Sequence, residues 1–233
     1  MKRNILFFII IAVIVAAGVG YYFWAENTEK TKIPESQTTM APTKVPFKDQ
    51  TRNESDAADK LSQEELAIEI RQAISTLNKA IEEKNDPMRN KMYFKFRLIE
   101  QDYPGAVAPY LIENLNNSQE GVTEYTAFIL GWIDDKRAVP HLRKLLSGSE
   151  GHKRHASRAL GFMRASEALD DIIGLLNDEN VRVRQDAAYS LGLLGDDRAN
   201  KALKEAENDP DELVRFFAKE AVERIENYKK YGW

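Results

Sequence analysis

Three histidines, His141, His152 and His155, are the side chains in this chain best suited to metal or proton chemistry. His152 and His155 are three residues apart, a spacing that puts both imidazoles on one face of a helix, within reach of a single metal ion. Two ligands do not complete a site, and the nearest acid in sequence, Glu150, falls in a loop, so the pair reads as solvated side chains at a helix start. The acid pairs Asp170-Asp171 and Asp196-Asp197 lack the alternating oxygen ligands of a calcium loop. They read instead as helix-start charges that complement the helix dipole. No Gly-rich phosphate loop or nucleophile elbow occurs. With no cysteine, a thiol nucleophile, a thiolate metal site and a disulfide are all excluded. The expectation is of no catalytic residue, no metal, no cofactor and no enzymatic activity.

The elements that position these residues repeat. Thr126-Ala-Phe-Ile-Leu130-Gly131, Ala156-Ser-Arg-Ala-Leu160-Gly161 and Ala187-Ala-Tyr-Ser-Leu191-Gly192 place Leu-Gly steps 160 − 130 = 30 and 191 − 160 = 31 residues apart. A decayed copy, Ala218-Lys-Glu-Ala-Val222, follows 31 residues on. Each step leads through a polar turn into a second apolar segment, such as Val139 to Leu146, Leu169 to Leu176 or Asn200 to Ala206. A period of about thirty residues holding two short helices marks an α-solenoid. The fold class expected is all-α, with a first, degenerate unit carrying Phe94, Leu98, Leu111 and Leu115. A capping box at Ser62-x-x-Glu65 opens a long helix over 62–85, and a helix over 211–229 closes the stack. Asp86-Pro87 and Asp209-Pro210 each prepare a helix start.

Position by position, Ala156 and Ala187 let neighbouring helices approach, Leu160 and Leu191 fill the gap, and Gly161 and Gly192 allow close crossing. Arg154, Arg184 and Arg215 recur at 30 and 31 residues and read as a ladder of ion pairs with loop acids such as Asp178 and Asp209. Trp132, Phe162 and Leu193 are equivalent and read as core. Lys153 is read as standing where Val183 and Val214 are apolar.

Ahead of the repeats, residues 5–24 form an uncharged run from Ile5 to Trp24, enough at ~1.5 Å per residue to cross a ~30 Å hydrocarbon layer. Tyr21, Tyr22 and Trp24 lie at its far end, where aromatic rings favour the headgroup level. The reading is a retained signal anchor in preference to a cleaved signal peptide, with residues 1–4 as a short cytoplasmic tail. Residues 25–60 are polar and Pro-containing and are expected to be a disordered linker of roughly 30–35 Å r.m.s. span. Residues 61–233 then form the repeat domain, extracytoplasmic in a periplasmic or cell-surface setting. The formal net charge of −4, without a basic stripe, argues against a nucleic-acid partner. The aromatic, basic tail from Tyr228 to Trp233 either caps the last helix or docks elsewhere.

The pattern Val181-Arg-Val-Arg-x-x-Ala187-x-x-x-Leu191-Gly-x-Leu-Gly-Asp-x-Arg198 resembles HEAT-type repeats of the shorter class associated with bilin lyases. The resemblance covers roughly residues 88–225, with Ile99 in place of the Gly in the first unit. It implies a solenoid whose second helices line the concave face. Turning Leu142, Leu145, Ile172, Leu175 and Leu203 inward leaves Tyr110, Glu113, His141, Lys144, Asp171 and Glu205 outward as the expected protein-binding stripe. Gly174 leaves a dip in it. The function expected is a membrane-tethered scaffold or adaptor for a protein partner, with no nucleic acid and no small-molecule substrate. The alternatives are a structural subunit of a membrane complex, or an enzyme or cofactor-handling protein of the bilin-lyase type. The iron-binding enzymes of this fold use His-Glu dipeptides, and none occurs in this chain.

Overall fold

A computed structural model describes residues 60–117 and 119–231. The readings for residues 1–4, 5–24 and the linker up to residue 59, and the residues Gly232 and Trp233, lie outside that range. Among the described residues no helix is long and apolar enough to cross a membrane.

Ten α-helices follow one another: α1 Gln63–Glu82, α2 Asp86–Asp102, α3 Ala108–Asn114, α4 Glu120–Ile133, α5 Val139–Leu145, α6 Glu150–Phe162, α7 Leu169–Gly174, α8 Val181–Leu194, α9 Asn200–Ala206 and α10 Glu212–Tyr231. The described chain is thus an all-α helical-repeat solenoid. Long first helices (α4, α6, α8, α10) lie side by side, and each short second helix (α3, α5, α7, α9) packs against the first helix that follows it.

Side-chain caps fix the starts of α1, α2, α6, α8 and α10. Ser62 Oγ accepts from Glu65 N–H, and Glu65 Oε2 accepts from Ser62 N–H at 2.9 Å, the reciprocal pair expected of a capping box. The caps beside the prolines sit one residue before or two after the expected acids. Asn85, not Asp86, accepts from Met88 N–H, and Asp211, not Asp209, accepts from Leu213 and Val214 N–H. The first helices of three units end alike, with Asp134, Arg164 and Gly195 at φ of 61°, 49° and 77°. These positions are 30 and 31 residues apart, so a left-handed residue turns the chain at the same point of each unit. Asp135 and Asp196 then accept from the backbone N–H two residues on and hold Arg137 and Arg198 at 2.5 and 2.7 Å, starting a 3₁₀ turn into the second helix.

Between units the small residues set the spacing. A Cβ on Gly161 would meet the Ser190 carbonyl oxygen at 2.8 Å, one on Gly131 the Ala159 Cα at 2.8 Å, and one on Gly192 the Ala221 Cα at 2.9 Å. These are backbone contacts that no rotamer change relieves. Gly161→Ala should therefore cost about 1–3 kcal/mol. Gly174→Ala, with nothing within 4 Å of its Cβ, should leave the melt unchanged or slightly raised. Denaturant melts of the two variants side by side check this pair.

The first unit departs from the expected register. Phe94 and Leu98 are 41% and 58% exposed, whereas Met92, Tyr93, Phe96 and Ile99 are buried. Those four precede the buried Val122, Thr123, Thr126 and Ile129 by 30 residues each, so Leu98 matches Phe128 and not Leu130. The Leu-Gly step is absent from α2, and the burial of an aromatic pair at 93 and 96 decides its rotation in place of that step.

Candidate functional site: the outward face of the first helices

The ion-pair ladder is present: the Arg184 rung is the expected one, and the rung before it is made by Lys153, one residue away from the expected Arg154. Arg184 Nε reaches Asp209 at 2.8 Å and Lys153 Nζ reaches Asp178 at 2.7 Å, each joining one first helix to the next loop. Since 184 − 153 = 31 and 209 − 178 = 31, Lys153 is the counterpart of Arg184, and His152 the counterpart of Val183 and Val214. Burial alone would raise the Asp178 and Asp209 carboxyls. Lys153 and Arg184, helped by backbone N–H groups, outweigh it and hold both below the usual carboxylate range. Arg215 caps the series on the carbonyls of Asp209 and Pro210.

Arg154 instead turns to the outward face. Its Nε meets Asp186 Oδ2 at 2.8 Å, while Arg158 Nη2 meets Asp186 Oδ1 at 2.7 Å. Asp186 is 4% exposed, His155 5% and Arg154 8%. Their polar partners, Glu124, Glu150, Gly151 and Asp186, all lie on first helices, so charged groups this buried mean that side chains of neighbouring first helices close over them. The face is recessed.

Three rows of residues, stepping by 30 and 31, make up this face: Tyr125, His155, Asp186, Phe217; Phe128, Arg158, Tyr189, Glu220; and Trp132, Phe162, Leu193, Arg224. Trp132 and Phe162 stack at 5.4 Å and 28°, and Tyr93 and Phe128 meet Trp132 edge-on at 6.2 Å. Leu193 is buried and Trp132 packs against the core, as expected, but Trp132 and Phe162 are only half-buried and form a ring floor on the outward face. Arg89 lies over Tyr125 at 5.5 Å, Arg97 over Tyr93 at 5.9 Å and Arg158 over Tyr189 at 5.9 Å. Burial pushes the Tyr125 hydroxyl up to about 12, so it stays a neutral hydrogen-bonding group. The Trp132 Nε1 and Arg224 Nη1 donors are buried without an acceptor among the described residues.

The histidine pair is not solvated, contrary to the sequence reading. His155 Nδ1 donates to the Gly151 carbonyl at 2.9 Å, and burial pushes the ring down to about 4, with Arg158 adding repulsion. Glu124, Arg154, Arg158 and Asp186 face it from three first helices. His152 Nε2 is buried with no hydrogen-bond partner among the described residues. Among the described residues no cluster of three or more His, Asp or Glu could hold a metal ion. The unfolded imidazole titrates near 6.5, above the folded value. Stability conferred by the neutral ring is thus complete above pH ~6.5 and is lost as pH falls toward 4, by about 3 kcal/mol in all. His155→Gln should flatten that part of a stability-versus-pH curve measured by denaturant melts.

The six residues expected to form a binding stripe lie on the second helices and are only partly gathered. Tyr110 and Glu113 line one shallow pocket with Arg71, whose guanidinium lies 5.4 Å from the Tyr110 ring. Asp171 is engaged by Arg143 at 2.7 Å, an ion pair linking α5 to α7. Lys144 and Glu205 are exposed and His141 half-buried. Among the described residues no hydrogen bond or ion pair joins these three to the rest of the set. The recessed face is on the first helices; the signal that could have located it is the run of ring-bearing and buried polar types at positions 125, 155, 186 and 217.

A HEAT repeat match spans residues 144–223, and a PBS lyase HEAT-like repeat match spans residues 124–148. HEAT-like repeats are therefore present over those residues. The complex of CpcE and CpcF of phycocyanin lyase from Nostoc sp. PCC7120 is similar in structure, with a TM-score of 0.53 at 18% identity over 83% of this chain and 73% of that one. An engineered protein solved by a structural genomics consortium aligns with a TM-score of 0.45 at 16% identity over 72% and 85% of the two chains. No curated protein matches the sequence. These findings correct the expectation that the chain is not an enzyme. The repeat matched over 124–148 is of the PBS lyase HEAT-like kind, and the fold is similar to that of a lyase complex.

Proposed function

We propose that the solenoid is a protein-binding module, held at a membrane by residues 5–24 with its N-terminus cytoplasmic and its repeats outside, and that it binds through the outward face of the first helices. The observation that carries the binding reading is the burial of Asp186, His155 and Arg154 between first helices, alongside the Arg158–Tyr189 and Trp132–Phe162 ring contacts. Aromatic and Arg side chains in a recess are the composition that dominates binding energy at protein interfaces. A photo-crosslinking residue in place of Tyr189 should capture a partner in native membranes, and one in place of Lys144 should not. Capture from Lys144 alone returns the binding site to the second helices. The anchor reading rests on the uncharged run from Ile5 to Trp24. Full-length protein should stay in the membrane through a carbonate wash, and a mature N-terminus at Gly18 would overturn retention.

A second reading has its own observation. The segment matched as a PBS lyase HEAT-like repeat, residues 124–148, contributes Tyr125, Phe128 and Trp132 to this same face. A lyase-type role like that of the phycocyanin lyase would place the acting side chains in this recess. An assay for phycocyanin lyase activity tests it, with loss on Asp186→Asn supporting the reading and inactivity of the unaltered chain ending it.

A further inference from the structure

We infer that the N-terminal half of this face takes an amphipathic helical segment of a partner protein, with apolar anchors flanked by carboxylates. The inference rests on the protein-binding reading above and names the chemistry of the partner.

Phe94 and Leu98 are one helical turn apart on α2 and are the two most exposed large apolar side chains there. They are not an isolated patch. Phe94 meets Tyr93 at 5.3 Å, Tyr93 meets Phe128 at 5.8 Å and Trp132 at 6.2 Å, and Trp132 stacks on Phe162. An exposed apolar lip thus continues into a half-buried ring floor across α2, α4 and α6.

Charge chooses the occupant. The exposed charged residues of α2 are Lys91 and Arg97, both cations, in a chain whose net charge is −4. The acids of α2 are less exposed and turned to other work: Asp86 pairs with Arg89, Glu100 accepts from the Gly105 and Val107 N–H groups, and Asp102 has an interaction of its own. Lys95 is held by Glu69 at 3.2 Å. An apolar lip rimmed by Lys91 and Arg97 repels a basic segment and attracts an acidic one. Shape decides between a protein and an anionic lipid surface. A flat bilayer reaches Phe94 and Leu98 only, whereas a helix with anchors at i, i+3/i+4 and i+7 reaches down to Phe128 and Trp132.

The test is selection of random 16-residue peptides displayed on phage against the full-length protein in phosphatidylcholine nanodiscs. The expected pool is net acidic, carries apolar residues at helical spacing, and loses binding at least tenfold on a Phe94→Ser/Leu98→Ser bait. On Arg97→Glu the acidic bias should weaken or reverse. No enrichment, enrichment without acidic bias, or a pool indifferent to Phe94→Ser/Leu98→Ser overturns the inference. A pool that depends on Tyr189 and not on Phe94 and Leu98 overturns it while sparing the wider protein-binding reading; one that depends only on Lys144→Glu overturns both. Because the chain has no cysteine, a probe on Leu98→Cys gives a clean lipid control. Burial of that probe by phosphatidylserine and not phosphatidylcholine, with no peptide enrichment, assigns the lip to lipid and ends the proposal.

Discussion

Asp186→Ala should lower unfolding free energy by about 3–5 kcal/mol, because it strands two guanidiniums in a recess. Arg154 and Arg158 leave α6 together and end on the two oxygens of one carboxylate of α8, at 2.8 and 2.7 Å. With the carboxylate gone, each cation keeps its desolvation cost and loses its nearest counter-charge. Glu150 reaches Arg154 only at 3.7 Å from an exposed position, too far to replace it. Asp186→Asn keeps the shape and one hydrogen-bonding oxygen, so its loss should be smaller. Replacing Arg154, Arg158 and Asp186 together by apolar residues of similar volume should recover most of the stability, since no buried charge then remains. Denaturant melts of the three proteins decide it. A single variant within about 0.5 kcal/mol of the parent would show that the cluster is solvated in solution.

Leu191→Ala should cost about 2–5 kcal/mol, and the loss should spread beyond its own unit. Leu191 and its counterpart Leu160 are fully buried, each in the seam between consecutive first helices. Truncation leaves a cavity where Gly161 meets Ser190 and Gly192 meets Ala221 through backbone atoms, and backbone in contact cannot relax inward. Hydrogen exchange should therefore rise in α6 and α10 as well as in α8. A change below about 0.5 kcal/mol, or exchange confined to α8, would contradict the coupling.

Residue spacing made the repeat legible, because Leu160, Leu191 and the small residues before them are dictated by contacts inside the stack. The ladder was legible in its Arg184–Asp209 rung and misplaced by one residue in the rung before it. Matching Arg154 to Arg184 followed residue type, whereas the Leu-Gly steps put Lys153 there, and a cation of either type makes the pair. The recessed face was not legible as such. An aromatic at helical spacing reads as core whether it lies under a second layer or in a trough between first helices, and Trp132 and Phe162 are of the latter kind. His155 misled for the same reason: a polar residue near a helix start is exposed unless neighbouring helices come close, and that closeness depends on Gly131 in the unit before and on the contact of Gly161 with Ser190 in the unit after.

The left-handed residue that ends each first helix has a further consequence for growth of the chain. Asp134, Arg164 and Gly195 make every unit begin and end at one backbone conformation, and the pairs Lys153–Asp178 and Arg184–Asp209 repeat with the same offset. A unit is therefore an interchangeable bead. A second copy of residues 164–194 placed after Leu194 would meet a Gly192 edge on one side and present one on the other, so the array can gain length by whole beads. A gain of any other number of residues would rotate every later rung out of line. Length in such an array is counted in units, and the distance between its two ends is a quantity that duplication can reset in single steps.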